Sequence, residues 1–224
     1  MAELRYLVLV LGDQLDLDAA AFDGFDVARD AVWMAEVAEE STHVWSSKPR
    51  TALFLAAMRH FAQALRAAGR PLNYTPLDDH ANHGSLHAQL HADIDRLHPA
   101  QLVMTAPGDW RVLQAIQAVA QARGLPLDIR EDRHFYCSVR EFAAHARGRK
   151  SLRMEYFYRE MRKRHGVLMR GERGDEPEGG QWNYDQDNRE PFGAAGPGNV
   201  PPRAVFEPDT LTREVIALVE QRFG

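Results

Sequence analysis

Cysteine is nearly absent, since Cys137 is the only one among 224 residues. A disulfide framework or a cysteine-rich zinc or iron–sulphur site therefore cannot form within this chain. Long apolar runs are missing too. The longest extends only from Tyr6 to Leu11, which is too short to cross a bilayer. The opening residues lack the basic segment and apolar core of a secretory signal, so we expect a cytoplasmic protein with no membrane partner.

Several signatures of nucleotide binding and hydrolysis are also missing. The chain contains no Gly-x-Gly-x-x-Gly fingerprint, no phosphate-binding Walker sequence and no Gly-x-Ser-x-Gly nucleophile elbow. Its net charge of −5 gives no general attraction to nucleic acid or anionic membrane. The composition, 45% hydrophobic and 26% charged, is typical of a globular protein. A standard dinucleotide enzyme or serine hydrolase is thereby disfavoured.

Short apolar segments alternate with amphipathic helical patterns as far as residue 138. The segments that predict strands are 4–11, 31–36, 72–76, 101–105 and 125–130. The patterns that predict helices are 50–68, 85–97 and 110–123. Alternation of this kind indicates right-handed βαβ units around a mainly parallel sheet. The sequence thus predicts an α/β fold with a Rossmann-like five-stranded sheet flanked by helices.

The alternation ends at about residue 138. Residues 139–165 have a helical pattern, and 171–202 are rich in Gly, Pro, Asp and Glu, as in a linker or a binding loop. A last amphipathic helix is predicted over 210–222, and its apolar face has no obvious partner in so short a tail. We therefore divide the chain into an α/β domain, 1–138, and a helical and loop interdomain extension, 139–224.

Two turns follow predicted strands and contain residues suited to ligand binding. Gly12-Asp13-Gln14-Leu15 follows the first strand, and Pro107-Gly108-Asp109 follows the fourth. Open parallel sheets bind ligands beyond the carboxyl ends of their strands. Gly permits close approach of the backbone, while Asp and Gln supply acceptors and donors. The alternative is that both are simple chain reversals, with Asp109 capping its helix.

Two further groups are weaker candidates. Glu36 ends the second strand and could reach the same crevice, or could be an ordinary exposed carboxylate. His87 and His91 share a helix face and could bind a metal, but no third ligand is evident. A solvated helix face is the favoured interpretation, and we expect no metal site.

Residues 147–173 form a basic segment in an acidic chain. Ten Lys or Arg accompany only three Glu there, which favours contact with a polyanion such as nucleic acid. A helix laced with salt bridges is the alternative. The cations are Arg147, Arg149, Lys150, Arg153, Arg159, Arg162, Lys163, Arg164, Arg170 and Arg173.

Several stretches, in this order, resemble the photolyase-related family, the iron–sulphur bacterial cryptochromes and photolyases. They are Leu11-Gly12-Asp13-Gln14-Leu15, Met34-Ala35-Glu36-Val37, Ala56-Ala57-Met58-Arg59-His60-Phe61-Ala62, Pro107-Gly108-Asp109-Trp110-Arg111, Arg153-Met154-Glu155-Tyr156-Phe157-Tyr158-Arg159, Gly179-Gly180-Gln181-Trp182-Asn183-Tyr184-Asp185 and Asn188-Arg189. The likeness covers essentially the whole chain.

The resemblance implies an α/β antenna domain that holds the chromophore 6,7-dimethyl-8-ribityllumazine. It further implies FAD and a 4Fe-4S cluster in a C-terminal helical domain, and light-driven repair of DNA lesions, often (6-4) photoproducts. By this likeness Lys150 and Arg189 contact DNA. The antenna pocket is lined by Gly12, Asp13, Gln14, Leu15, Glu36, Pro107, Gly108 and Asp109.

With a single cysteine, this chain cannot supply the four ligands of the cluster. We expect it to be a monomer that forms the antenna and interdomain portion of such a flavoprotein. It would contain no catalytic residue and would not repair DNA alone without the C-terminal FAD domain. Two alternatives remain: a stand-alone α/β module that binds a nucleotide or other metabolite, and a nucleic-acid adaptor that uses the basic segment 147–173.

Overall fold

The computed structural model describes residues 4–171, 173–185, 189 and 191–223. They form two compact units. The first contains the residues up to Asp132 together with those from Glu207 onward, and the second contains the residues between Arg133 and Phe206. No helix in these described ranges is both long and apolar enough to cross a membrane.

The first unit is built on a parallel sheet of five strands in the order β3-β2-β1-β4-β5. The predicted α/β fold is therefore confirmed. In register, Val8 on β1 lies between Val32 on β2 and Val103 on β4. The strands are β1 (Tyr6–Leu9), β2 (Ala31–Ala35), β3 (Leu72–Thr75), β4 (Gln101–Thr105) and β5 (Leu127–Arg130).

Helices cover both faces of this sheet. They are α1 (Ala38–Thr42), α2 (Lys48–Ala67), α3 (Leu86–Leu97), α4 (Trp110–Ala122) and α7 (Thr210–Arg222), and a 3₁₀ turn spans Ala20–Phe22. Alternate residues of β1 belong to different cores: Leu7 packs with α3 and α4, whereas Val8 packs with α2 and α7. Burial on both faces explains why β1 is continuously apolar rather than alternating.

The last helix has a partner within the first unit, so the expectation that its apolar face is uncovered is wrong. Val215 and Val219 on α7 are 0% and 1% exposed and pack in the same core as Leu55 and Phe61 on α2. This segment, which the sequence assigns to the extension 139–224, therefore lies against the α/β sheet's own helix.

The second unit contains two short helices where the sequence predicts one. They are α5 (Val139–Ala146) and α6 (Met154–His165), followed by a two-stranded hairpin, β6 (Met169–Arg170) with β7 (Glu176–Pro177). Gly148 has a φ of +74° in the interruption, a conformation that glycine adopts without strain. A capping box between Ser138 and Glu141 begins α5. The basic segment 147–173 is consequently not one continuous helix.

Candidate functional site

The order of the strands reverses between β1 and β4, where the chain turns from one side of the sheet to the other. Open α/β sheets bind ligands beyond the strand ends at such a point. The segments that follow these two strands are joined directly, because the Gln14 side-chain amide donates to the Ala106 carbonyl at 2.8 Å. The two turns singled out in the sequence are thus neighbours.

A cavity of about 440 Å³ opens at this end of the sheet. Its volume is within the range of small-molecule sites. Five of the predicted site residues line it: Gly12, Asp13, Glu36, Pro107 and Asp109.

The remaining predicted pocket residues, Gln14, Leu15 and Gly108, are adjacent in sequence but do not line the cavity. Gln14 instead ties the first turn to the segment after β4. Leu15 packs against the core that contains Val8. Gly108 is exposed.

The lining changes character from its inner part to its rim. Inner residues such as Val10, Ala35 and Leu55 are buried and apolar, whereas Asp13 and Arg50 at the rim are exposed. Such a lining suits a molecule with an apolar body and polar substituents.

Gly12, in the turn after β1, lies close to the side chain of Met58 on α2. A Cβ at this position would lie 2.9 Å from the Met58 Sδ atom on α2. Real Cβ atoms do not approach so closely, so any larger residue here would displace Met58, which lines the same cavity. Glycine therefore permits α2 to pack against the end of β1.

The Glu36 carboxylate is completely enclosed and fully bonded. It accepts from Arg59 Nε and Nη2 at 2.8 and 2.9 Å and from the Leu77 backbone N–H at 2.7 Å. The Tyr74 hydroxyl also donates to it. Burial and the adjacent Glu36 charge raise the pKa of Tyr74 well above its ordinary value, so this hydroxyl remains a donor. None of these donor residues lines the cavity, and the carboxylate therefore braces the end of β2.

Asp109 and Arg111 form the start of α4 at the rim of the cavity. The Asp109 carboxylate accepts from the Arg111 backbone N–H at 2.7 Å and caps the helix. That bond lowers the pKa of Asp109, so the group is ionised. Asp109 therefore caps α4, as the alternative interpretation of the sequence predicted, and it also lines the cavity.

The Arg111 guanidinium lies between two carboxylates. Its Nη2 donates to the Glu40 oxygens at 2.8 and 2.9 Å and lies 3.4 Å from Asp109 Oδ2. Burial lowers the pKa of Arg111, but the bond to Glu40 and the negative charges of Glu40 and Asp109 together outweigh burial, and the pKa is raised. Its Nε is buried and has no acceptor among the described residues. Neither Glu40 nor Arg111 was assigned a role from the sequence.

The second unit contains the predicted nucleic-acid residues. Lys150 and Arg189 are both exposed. Trp182, within the motif of residues 179–185, is surrounded by cations, with Arg159, Arg162 and Lys163 lying 5.3, 5.3 and 5.4 Å from its ring. Such stacking holds the loop that contains Trp182 against α6.

The basic segment is partly neutralised by ion pairs. Arg164 lies 3.0 Å from Glu141, and Arg159 is paired with Glu155 one helical turn away. Arg147 and Lys150 are exposed and take part in no ion pair among the residues that the structure describes. The alternative of a salt-bridged surface therefore applies to part of the segment, and contact of the remaining cations with a polyanion stays a prediction.

The histidines on α3 do not form a metal centre in the described structure. His91 Nδ1 accepts from Arg123 Nε at 2.8 Å. Across residues 4–171 and the later described ranges, no group of three or more His, Cys, Asp or Glu is placed to hold an ion.

Comparisons with known proteins agree with the sequence motifs. The family model of deoxyribodipyrimidine photo-lyase-related proteins matches residues 8–224. A curated relative, a (6-4) photolyase of Agrobacterium fabrum (strain C58 / ATCC 33970), is 46% identical over 221 residues. The match covers 98% of this chain but 42% of that relative, so the chain spans less than half of the relative's length.

Proposed function

The chain belongs to the deoxyribodipyrimidine photo-lyase-related protein family, and we propose that it forms the N-terminal, antenna-binding portion of a light-dependent DNA-repair flavoprotein. The chromophore is proposed to be 6,7-dimethyl-8-ribityllumazine, held in the cavity at the β1 and β4 strand ends. When bound, that chromophore supplies absorption of light. The protein's own part is to hold it in a fixed place and to exclude water.

The cavity is the observation that carries this proposal. It lies at the strand-order reversal, where α/β sheets bind ligands. Its lining includes residues from four of the stretches that carry the family resemblance, among them Gly12, Glu36 and Asp109. A lumazine has a flat bicyclic ring and a polyhydroxylated chain. Buried apolar residues such as Val10 and Leu55 suit the ring, and carboxylates such as Asp13 and Asp109 suit hydroxyl groups.

Two structural features of the lining fit a chromophore. Gly12 has no side chain to occupy the cavity, and a Cβ there would displace Met58, another lining residue. Val10, Ala35 and Leu55 supply buried apolar surface for the ring. A 4Fe-4S cluster does not fit this chain, because Cys137 is the only thiol and the cluster needs four. Repair of a (6-4) lesion is accordingly proposed for a longer protein that includes a flavin domain, and this chain alone is proposed not to repair DNA.

Reconstitution tests the antenna proposal. The chain is mixed with the lumazine, and fluorescence anisotropy of the chromophore is measured as protein is added. Ser41→Trp narrows the cavity at a half-buried rim position, and we expect it to weaken binding by at least about tenfold, or about 1.4 kcal/mol. Thr42→Trp, on the same short helix but outside the lining, is the matched control. We expect no more than about a twofold change for it, as is usual for an exposed substitution.

Two results would contradict the proposal. One is a flat anisotropy titration with the wild-type chain. The other is equal binding by the Ser41→Trp and Thr42→Trp variants, which would place the chromophore elsewhere. A nucleotide that raises the melting temperature when the lumazine does not would favour the alternative of a stand-alone metabolite-binding module.

A second candidate function, contact with DNA, is favoured by the free cations of the second unit. Lys150 is exposed and has no ion pair among the described residues, and Arg153 and Arg189 are exposed. Exposed cations bind phosphates and release counterions, so binding weakens steeply with salt. We expect the triple Lys150→Ala, Arg153→Ala, Arg189→Ala variant to reduce the slope of log affinity against log salt by about 2 to 3.

The control variant removes the same charge from exposed positions of the first unit: Arg29→Ala, Arg66→Ala and Arg222→Ala. Affinity is measured by anisotropy of a labelled duplex across a salt series. An unchanged slope in the first triple variant, or an equal change in the control, would refute a specific DNA surface in the second unit.

A further inference from the structure

The second unit leaves most of its aromatic side chains exposed. Among the residues that the structure describes, Met161 is the only buried side chain among the leucine, valine, methionine and aromatic residues of this unit. All four of its tyrosines are exposed, Tyr136 by 66%, Tyr156 by 53%, Tyr158 by 44% and Tyr184 by 45%. Exposed aromatic residues concentrated in this way indicate a surface that binds a partner.

One face of α6 combines an exposed aromatic ring with cations. Tyr156, Arg159 and Lys163 lie three and seven residues apart, so their side chains project from the same side of this helix. Lys163 is exposed and has no carboxylate partner within the described part of the chain. The exposed cations Lys150 and Arg153 come directly before the helix, and Arg153 is its N-cap. Aromatic surface and positive charge are therefore adjacent here.

The Tyr156 ring is contacted by a cation but not by another ring. The Arg153 guanidinium lies 6.0 Å from the ring centroid. No other aromatic ring packs against Tyr156 among the described residues. Because the residue is 53% exposed, the ring keeps surface available to a second planar group.

The carboxylates of α6 are already neutralised by neighbouring cations. Glu155 pairs with Arg159, and Glu160 pairs with His145 and lies 3.6 Å from Arg164. A polyanion that approaches the helix therefore meets the remaining cations rather than free carboxylates. A positively charged surface with an exposed aromatic ring is the combination that binds single-stranded nucleic acid, because phosphates contact the cations and a base stacks on the ring.

We propose that Tyr156 is a base-stacking residue, whose ring binds an unpaired base while Lys150, Arg153 and Lys163 bind the flanking phosphates. This inference rests on the DNA contact proposed above as the second candidate function, and it deepens that function by naming the state of the strand. Cations alone favour a duplex, which has the higher charge density. A stacking ring instead favours unpaired nucleotides, because the faces of paired bases are covered by their neighbours.

The first experiment uses the unaltered protein, so it does not depend on the folding of any variant. Anisotropy is measured for three labelled probes of equal length: a single strand of thymidines, a single strand of abasic sites and a duplex. The two single strands have the same phosphates and differ only in their bases. We expect the thymidine strand to bind about tenfold more tightly than the abasic strand. Equal binding of the two would refute stacking and leave a surface that recognises charge alone.

The second experiment assigns the difference to Tyr156. Tyr156→Ala should bring the thymidine strand down to the affinity of the abasic strand and leave the abasic strand unchanged, whereas Tyr156→Phe should keep the difference, since it keeps the ring. Tyr158→Ala is the matched control, because Tyr158 is an exposed tyrosine on the same helix but two residues away, and so faces another direction. We expect no more than about a twofold change for it. Lys150→Ala should weaken all three probes by similar factors, because it removes a phosphate contact.

The outcomes separate this inference from the function on which it rests. If the wild-type chain binds none of the three probes at low salt, the DNA contact fails and the stacking role with it. If the probes bind but Tyr156→Ala weakens the thymidine and abasic strands equally, the stacking role is wrong while the DNA contact stands. The same conclusion holds if Tyr158→Ala reproduces the effect of Tyr156→Ala.

Discussion

Replacing Glu36 with alanine would remove a carboxylate that the first unit encloses completely. The Glu36 side chain is 0% exposed, and its partner Arg59 is 17% exposed. Without Glu36, two guanidinium bonds of 2.8 and 2.9 Å and a backbone bond of 2.7 Å from Leu77 lose their acceptor. The Tyr74 hydroxyl loses its acceptor as well. The substitution would leave a largely buried positive charge and two buried donors without partners.

The expected loss in free energy of unfolding follows from the positive charge that Glu36→Ala leaves on Arg59. Breaking a buried ion pair by removing one partner costs about 3–5 kcal/mol. Arg59 also lies 2.9 Å from Asp78, which is 51% exposed and compensates part of the charge. We therefore expect about 3 kcal/mol, at the lower end of that range. For a domain of about 150 residues this corresponds to a fall of roughly 6–12 °C in melting temperature.

Urea denaturation followed by circular dichroism measures this free energy of unfolding. The matched control is Glu220→Ala, which removes the same side chain from an exposed pair with Lys48, 61% and 38% exposed respectively. Exposed pairs contribute no more than about 1 kcal/mol. A Glu36→Ala loss as small as that of Glu220→Ala would refute the bracing role. Glu36 would then be a carboxylate available to a ligand, as the sequence alone allowed.

Three further predictions concern other parts of the first unit. Val215→Ala should cost about 2 kcal/mol in urea denaturation, because Val215 is 0% exposed between α7 and α2; no loss would mean that α7 is not docked. For Asp30, burial raises the pKa, but the bond from Arg5, the Arg5 charge and the bonds from the Asp26 and Tyr6 backbone together outweigh burial, and the pKa is lowered. Its contribution is thus complete above the unfolded pKa of about 3.9 and is lost as pH falls through the folded pKa. The stability difference between wild type and Asp30→Asn should narrow on acidification, and a constant difference would contradict this. Gly12→Ala should weaken lumazine binding, and Gly12→Ala with Met58→Ala should restore part of it, since the added Cβ lies 2.9 Å from Met58 Sδ; failure of the rescue would locate the effect elsewhere.

Local pattern was sufficient to predict the sheet. β1, β2 and β4 are mainly apolar runs. β3 and β5 contain polar residues but follow helical patterns that end at Gly69 and Gly124. The partner of α7 was not predictable in this way. An amphipathic helix shows that a face is buried but not against which element, and α7 is separated from α2 by well over a hundred residues in sequence. The interruption after α5 had a signal, Gly148, that the surrounding helix-forming residues outweighed.

The candidate site was predictable only in part, for a related reason. The strand-end rule identified the turns after β1 and β4, and five of the eight predicted pocket residues line the cavity. Glu40 lies on a helix of five residues, too short to produce a periodic pattern. Phe54, which also lines the cavity, lies in α2. This helix follows β2 in a βαβ unit and so begins at the carboxyl end of the sheet. Topology, rather than residue type, would have placed this part of α2 beside the cavity.

The strand ends around the cavity are each fixed by a different interaction that needs no ligand. Gln14 ties the β1 turn to Ala106, Glu36 braces the end of β2, and Asp109 caps α4 after β4. A cavity preformed in this manner spares the ligand the cost of ordering it. Residues that brace the strand ends and residues that only line the cavity should therefore respond differently to substitution. Variants of the braces should lose stability and chromophore binding together, whereas Ser41→Trp should lose binding with little change in the free energy of unfolding.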